Sequence, residues 1–339
     1  CITTGAGGET MHWGYTANPG NTPREQLALG DFSPPAQQRF REFLKQRYGS
    51  DVEKLRAAWR RPAGTFDQAT VEIEELRKAE MMNFRNPANS RMAMDYWDFH
   101  SDASAAAVGR IAAAFKQASG DQWLIGAWGF YSLAIYPAIA SRYPGALQQI
   151  AGMSLDKVLA EPAIDFLACI QSYSAVRGKM PLMTGMPTAS MRRNGKLFIE
   201  EFDVRTFFVD LNHVADHHTT SRFETVNVMR RDFGESLVRG DNSWFCGFAS
   251  GYAGRRSLGW FAEDSLIDNL NRFARIGKAV SAVDNRSAAE IALFVNNRDI
   301  ATLDVMTGAG VLYNTQHNTV YNELEKLGVF LPVSEAHCH

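Results

Sequence analysis

A parallel β-sheet covered by α-helices is the fold class this sequence predicts, and three observations predict it. Short strand-like runs alternate with amphipathic stretches at helical spacing, the βαβα order of a parallel sheet. The strand-like runs are apolar almost without interruption, as in Phe166-Leu167-Ala168-Cys169-Ile170. Strands buried on both faces read this way, because neither side chain row meets water. The chain has 339 residues, enough for a large core and a second domain, since single cores stop growing at roughly 250–300 residues.

Taken in order, Cys1-Ile2-Thr3-Thr4 reads as a strand that breaks into glycines at Gly5, Gly7 and Gly8. A loop rich in Pro, Gly and Asn runs from Tyr15 to about Gly30. Ser33 before Pro34-Pro35 opens a helix, because the hydroxyl can cap and proline suits the first turn. Phe40, Phe43, Leu44 and Tyr48 keep helical spacing until Gly49 stops them. A second short helix spans Val52 to Trp59. A long one runs from about Asn89 to Ala118, its apolar stripe being Met94, Trp97, Ala105, Val108, Ile111 and Phe115.

Trp123 to Trp128 then reads as strand, Leu147 to Ala160 as helix and Phe166 to Ile170 as strand. Leu197-Phe198-Ile199 is a strand after the turn signal Arg193-Asn194-Gly195. Phe223 to Arg239 is helical, Ser243 to Phe248 is a strand and Leu266 to Val280 is a helix. A domain boundary is expected at Asp284-Asn285-Arg286-Ser287, dividing residues 1–284 from a small α/β unit of residues 285–339. That unit would hold a strand at Ala289–Val295, a helix at Asn318–Leu327 and a strand at Val329–Val333.

Composition excludes several function classes. The formal charge is −2 with no basic block, so clustered phosphate contacts, and with them nucleic acid, are not expected. No apolar run approaches the roughly 20 residues that cross a bilayer. Cys1, Cys169, Cys246 and Cys338 lack CxxC spacing, which argues against a structural zinc or a redox motif and favours buried or idle thiols over a disulfide. The chain opens on a strand, without an initiating Met or a leader, and so reads as N-terminally partial. Its compartment is left open, with the cytoplasm favoured.

Reacting groups in parallel α/β folds stand at the carboxyl ends of strands. Four such ends carry polar or aromatic residues: Glu9 to Trp13, Trp128 to Tyr131, Gln171 to Tyr173, and Glu200 to Arg205. Aromatic faces that stack on sugar rings, beside paired carboxylates for acid–base work, are the makings of a carbohydrate site. Glu9 and Glu201 are the candidate carboxylates. Alternation puts Leu197, Ile199 and Glu201 on one strand face and Phe198 with Glu200 on the other, without saying which points inward. Trp13, Trp128, Tyr131 and Tyr173 are candidates to line the sugar, and Asp203 and Arg205 to bind it beside Glu201. A weaker alternative is a metal on His213 and His217, four apart in His213-Val214-Ala215-Asp216-His217-His218. The segment Gly5-Ala6-Gly7-Gly8-Glu9 matches neither a dinucleotide fingerprint nor a P-loop.

The run Gly8-Glu9-Thr10-Met11-His12-Trp13-Gly14 resembles the fourth-strand end of family 42-type β-galactosidases. So do Phe32-Ser33-Pro34, the stretch from Phe40 to Gly49, and Leu55-Arg56-Ala57-Ala58-Trp59. Gly195 to Thr206 resembles the seventh-strand region of the same family, and the segment from Ala289 resembles the start of its trimerisation domain. The resemblance implies a (β/α)8 TIM-barrel-like fold, incomplete at the N-terminus because strands one to three have no counterpart. It implies Glu9 as acid/base and Glu201 as nucleophile, with Glu200 the rival for that role. Gly8 stands where the family has Asn, and its zinc-binding cysteine cluster is missing. The expected activity is a retaining glycosidase on β-galactosides or related small β-glycosides, with no organic cofactor or metal and a dimeric or trimeric assembly. The expectation from another class is a non-catalytic carbohydrate-binding or assembly protein on a degenerate barrel.

Overall fold

A computed structural model describes residues 2–3, 30–77, 84–130, 153–171, 182, 184–207, 218–247, 259–283, 289–290, 292–303 and 333–335. Five strands form one sheet in sequence order: β1 (Ile2–Thr3), β2 (Gly126–Trp128), β3 (Phe166–Ile170), β4 (Leu197–Phe202) and β5 (Asn242–Phe245). Every neighbouring pair is parallel, as the apolar runs require. The expected α/β class is therefore present, and among the described residues β1 and β5 are the outer strands of this five-stranded sheet.

The helices begin and end where local chemistry directs. Helix α1 (Pro34–Arg47) starts at Ser33, whose hydroxyl accepts from Ala36 N at 3.4 Å. Gly49 follows it at φ +63°, a conformation that favours glycine. Helix α2 (Val52–Trp59) is capped by Asp51, which accepts from Glu53 N at 2.9 Å. A short α3 (Ile73–Arg77) precedes the long α4 (Pro87–Ala118). Further along stand α5 (Leu155–Ala160), α6 (Thr188–Arg193), α7 (Arg222–Arg239) and α8 (Asp264–Val280).

Met94, Trp97, Ala105 and Val108 of the expected α4 stripe are buried, but Ile111 and Phe115 are 42% and 45% exposed. The reason is length. Past a kink at Ser90 the helix runs on to Ala118, about 42 Å at ~1.5 Å per residue, which overruns strands of two to six residues. The expected strand from Trp123 is likewise shorter: Trp123 and Leu124 are exposed, and pairing starts at Gly126 opposite Phe166. A Cβ on Gly126 would lie 2.1 Å from the Phe166 ring, so only glycine lets that ring cross β2.

Along α4 runs a row of aspartates that fastens the helical layer. Asp95 is fully buried and accepts from Tyr48 Oη (2.6 Å), Trp59 Nε1 (2.8 Å) and Arg91 Nε (2.8 Å). Asp98 faces Arg47 at 2.7 Å, and Asp102 pairs with Lys157. With this many donors, the buried carboxylate of Asp95 avoids the cost of an unpaired one.

The last described stretches are β6 (Leu293–Val295), a 3-10 turn over Asn297–Thr302, and β7 (Val333–Glu335), which pairs parallel with β6. Ile300, Ala301 and Leu303 join the same apolar core as α4. Arg298 reaches Asp98, Asp102 and Asp156 at 3.7, 3.4 and 3.1 Å. The expected boundary at 284–287 and the expected helix at 318–327 lie outside the described residues. Among the described residues no helix is long and apolar enough to cross a membrane.

Candidate active site

Strand β4 presents two rows of side chains to two different surroundings. Phe198, Glu200 and Phe202 are at most 4% exposed, on the face that the helices cover. Leu197, Ile199 and Glu201 share the other face, where Leu197 is 49% exposed and the other two are partly so. Glu201 thus stands near the carboxyl end of a parallel strand, on the open face.

The parallel register puts Ile170 and Trp244 beside Glu201, with Trp128 level with Ile199, two residues lower across the sheet. Trp244 Nε1 donates to Glu201 Oε2 at 2.9 Å, and Trp128 Nε1 donates to the same oxygen at 3.2 Å. The Cys246 thiol is a third hydrogen-bond partner of this carboxyl. Burial raises the pKa of Glu201, the three hydrogen bonds oppose that rise, and the nearby Asp203 charge adds to it. Burial first, and then the charge of Glu201, pushes the Cys246 thiol up to about 12, so it stays protonated as a donor.

Trp128 is aimed by an unusual backbone. Gly129 and Phe130 follow it at φ +123° and +58°, and Phe130 is buried although it is no glycine. A left-handed bulky residue costs on the order of 1–3 kcal/mol, and such outliers gather at functional sites. Gly129 N is held by the Ala168 carbonyl at 3.0 Å, which ties the turn to β3.

Beyond β4, Arg205 Nη1 donates to Asp203 Oδ2 at 3.2 Å, and its guanidinium lies 5.3 Å from the centre of the Trp260 ring. Thr206 donates to the Trp260 carbonyl, and Thr219 N donates to the Arg205 carbonyl at 2.9 Å. The buried His218 is held against Arg205 by a parallel bridge. Asp203 and Arg205 therefore form an ion pair stacked under an indole, just past Glu201.

Glu200 has the opposite setting. Its Oε1 accepts from Gly185 N at 3.3 Å, while Oε2 is buried without a hydrogen-bond partner. Burial pushes its carboxyl up to about 8, with Arg239 working against the rise. The neighbouring Asp232 and Asp241 are pushed up to about 7 and 6 for the same reason. Glu200 is buried on the strand face opposite to that of Glu201.

Neither the models of known protein families nor the curated proteins contain a match to this chain. The chemistry therefore has to be read from the side chains. Of the residues expected from sequence, the structure brings Trp128 against Glu201 and pairs Asp203 with Arg205. Glu9, Trp13, Tyr131 and Tyr173 lie outside the described residues, as do His213 and His217. Among the described residues no three His, Cys, Asp or Glu side chains converge as a metal site. Sequence reasoning missed Trp244 and Cys246. Their signal was the strand at 243–248, because a parallel neighbour of β4 in register sets Trp244 beside Glu201.

A carboxylate with one oxygen fixed by two indole donors presents its other oxygen in a set direction. Indole N–H groups can only donate, so they favour the ionised carboxylate over the protonated one. Such a group can attack an electrophilic carbon or hold a cationic centre.

Proposed function

We propose that the chain is a retaining glycoside hydrolase acting on β-galactosides or related small β-glycosides. The observation that carries this reading is Glu201 on the open sheet face at a strand's carboxyl end, held by Trp128 and Trp244. Glu201 attacks the anomeric carbon while Glu9 protonates the leaving oxygen; Glu9 then acts as base as water releases the sugar. Trp128 and Trp244 orient the nucleophile with their N–H edges, and both indoles are partly exposed.

The finer fold belongs to the same proposal. In a (β/α)8-type barrel β1 to β5 would be strands four to eight. Glu9 then follows strand four, and Glu201 stands on strand seven with two strands between, as the sheet order has it. The open face would be the barrel interior, and further subunits or chain would close the edge at β1. A dimer or trimer is the assembly expected with it.

A panel of nitrophenyl glycosides, run with the wild type and with Glu9→Ala and Glu201→Ala, tests the reading. Hydrolysis of a β-galactoside or a close relative, lost by on the order of 10³-fold or more in each variant, supports it. Sugar binding without turnover in the folded wild type would give the site to a non-catalytic carbohydrate-binding protein instead.

A further inference from the structure

On the outer side of the molecule, α7 and α8 pack together and leave a groove of about 670 Å³. Its polar lining is Arg230 from α7 and Asp268, Asn269, Asn271, Arg272 and Arg275 from α8. Residues three and four apart share a helix face, so Asp268, Asn271, Arg272 and Arg275 form one row. Elsewhere Arg47, Arg91, Arg239 and Arg298 each sit against a carboxylate. Among the described residues no carboxylate lies within ion-pair distance of Arg230, Arg272 or Arg275, and Asp268 pairs with none of them.

One of the three guanidinium groups is aimed. Asn269 is 8% exposed, and its Nδ2 donates to the Ser265 carbonyl at 2.7 Å. That bond turns Asn269 Oδ1 towards Arg230, whose Nε donates to it at 3.0 Å. The terminal nitrogens of Arg230 are left for the groove, where Arg272 and Arg275 add two more planar donors.

We propose that this groove binds an acidic saccharide, through the carboxylate or sulfate group of a sugar chain. Guanidinium groups match the flat or tetrahedral face of an oxyanion with paired donors. Asn271 and the carboxylate of Asp268 suit neighbouring hydroxyl groups, which a sugar has and a bare anion lacks. The same Asp268 repels a continuous polyanion, and a formal charge of −2 gives the chain no net attraction for a nucleic acid. The choice of sugar as carrier rests on the carbohydrate-active reading above; the preference for an anion rests on the arginines alone.

Titration calorimetry at low salt tests the proposal with four probes: an oligogalacturonide, a sulfated oligosaccharide, a neutral galactan oligomer and sodium sulfate. One acidic oligosaccharide should bind, and which one it is distinguishes carboxylate from sulfate. Its affinity should fall by about 10-fold or more in an Arg272→Gln/Arg275→Gln variant, the loss expected for charge-assisted hydrogen bonds. Both arginines are exposed and unpaired, so the variant keeps the fold, which circular dichroism checks. Glu201→Gln should bind the acidic probe as the wild type does, so failure of the glycosidase reading shows separately. No binding of either acidic oligosaccharide, or equal binding by the arginine variant, overturns the proposal. Equal affinity for free sulfate overturns the saccharide assignment.

Discussion

Glu200 and Glu201 are adjacent in the chain and share one strand, yet they live in different media. Glu201 faces the open side, where donors from β2 and β5 hold its charge in place. Glu200 faces the helices, where one of its oxygens has no partner and burial holds the proton on it. The difference comes from the strand period of two, which turns a step of one residue into a change of solvent. A carboxylate's chemistry is thus set by the face it occupies more than by the residue type.

The sharpest way to break the comparison is to remove packing from one face and then from the other. Phe198→Ala, on the covered face, should lower the free energy of unfolding by about 3–5 kcal/mol. Leu197→Ala, one residue earlier on the open face, should lower it by less than about 1 kcal/mol, by the same urea titration. Similar losses at both positions would mean that the open face is covered in solution.

Next in size is Glu200→Gln. With its carboxyl pushed up to about 8, Glu200 takes up a proton on folding at any pH between the ordinary carboxylate range and 8. Its stabilising contribution is therefore full below the unfolded value and is lost as pH rises through about 8. The amide copies the protonated form, so the variant should melt several degrees above wild type at pH 9 and near it at pH 5. Hydrolysis of a neutral glycoside should change little, because the side chain is on the far face. A variant that melts like wild type at both pH values would mean that Glu200 is ionised in the fold.

A smaller effect is expected at the clamp. Trp244→Phe keeps the ring and deletes one donor to Glu201, which raises that carboxyl further. The acid limb of the pH–rate profile should move to higher pH, because a hydrogen bond that favours the ionised carboxylate is gone. An unmoved acid limb with a lowered rate would make Trp244 a packing residue and not a positioning one.

Much of this architecture was legible because short-range physics writes it. Ser33, Asp51 and Gly49 announce helix ends through their own backbone preferences, and the unbroken apolar runs announce a parallel sheet. The two rows of β4 were legible as rows, but which one meets water depends on where α7 packs, and a single strand carries no such information. Trp244 was hidden because its meeting with Glu201 is a register between positions 43 apart in the chain. The exposed end of α4 was misread for a related reason. Periodicity marks a helix face, but the length of the neighbouring strands decides how much of it is covered.

The row of aspartates on α4 has a consequence for how the protein is made. Asp102 waits for a partner, Arg298, that lies 196 positions later in the chain. At roughly 5–20 residues per second, synthesis brings that partner about 10–40 s after the helix itself. Asp95 needs no such wait, since Tyr48, Trp59 and Arg91 are already at hand or arrive before it. The nascent helix is therefore anchored at its first turns while its acidic middle stays short of its last cation, and the arrival of Arg298 closes the layer.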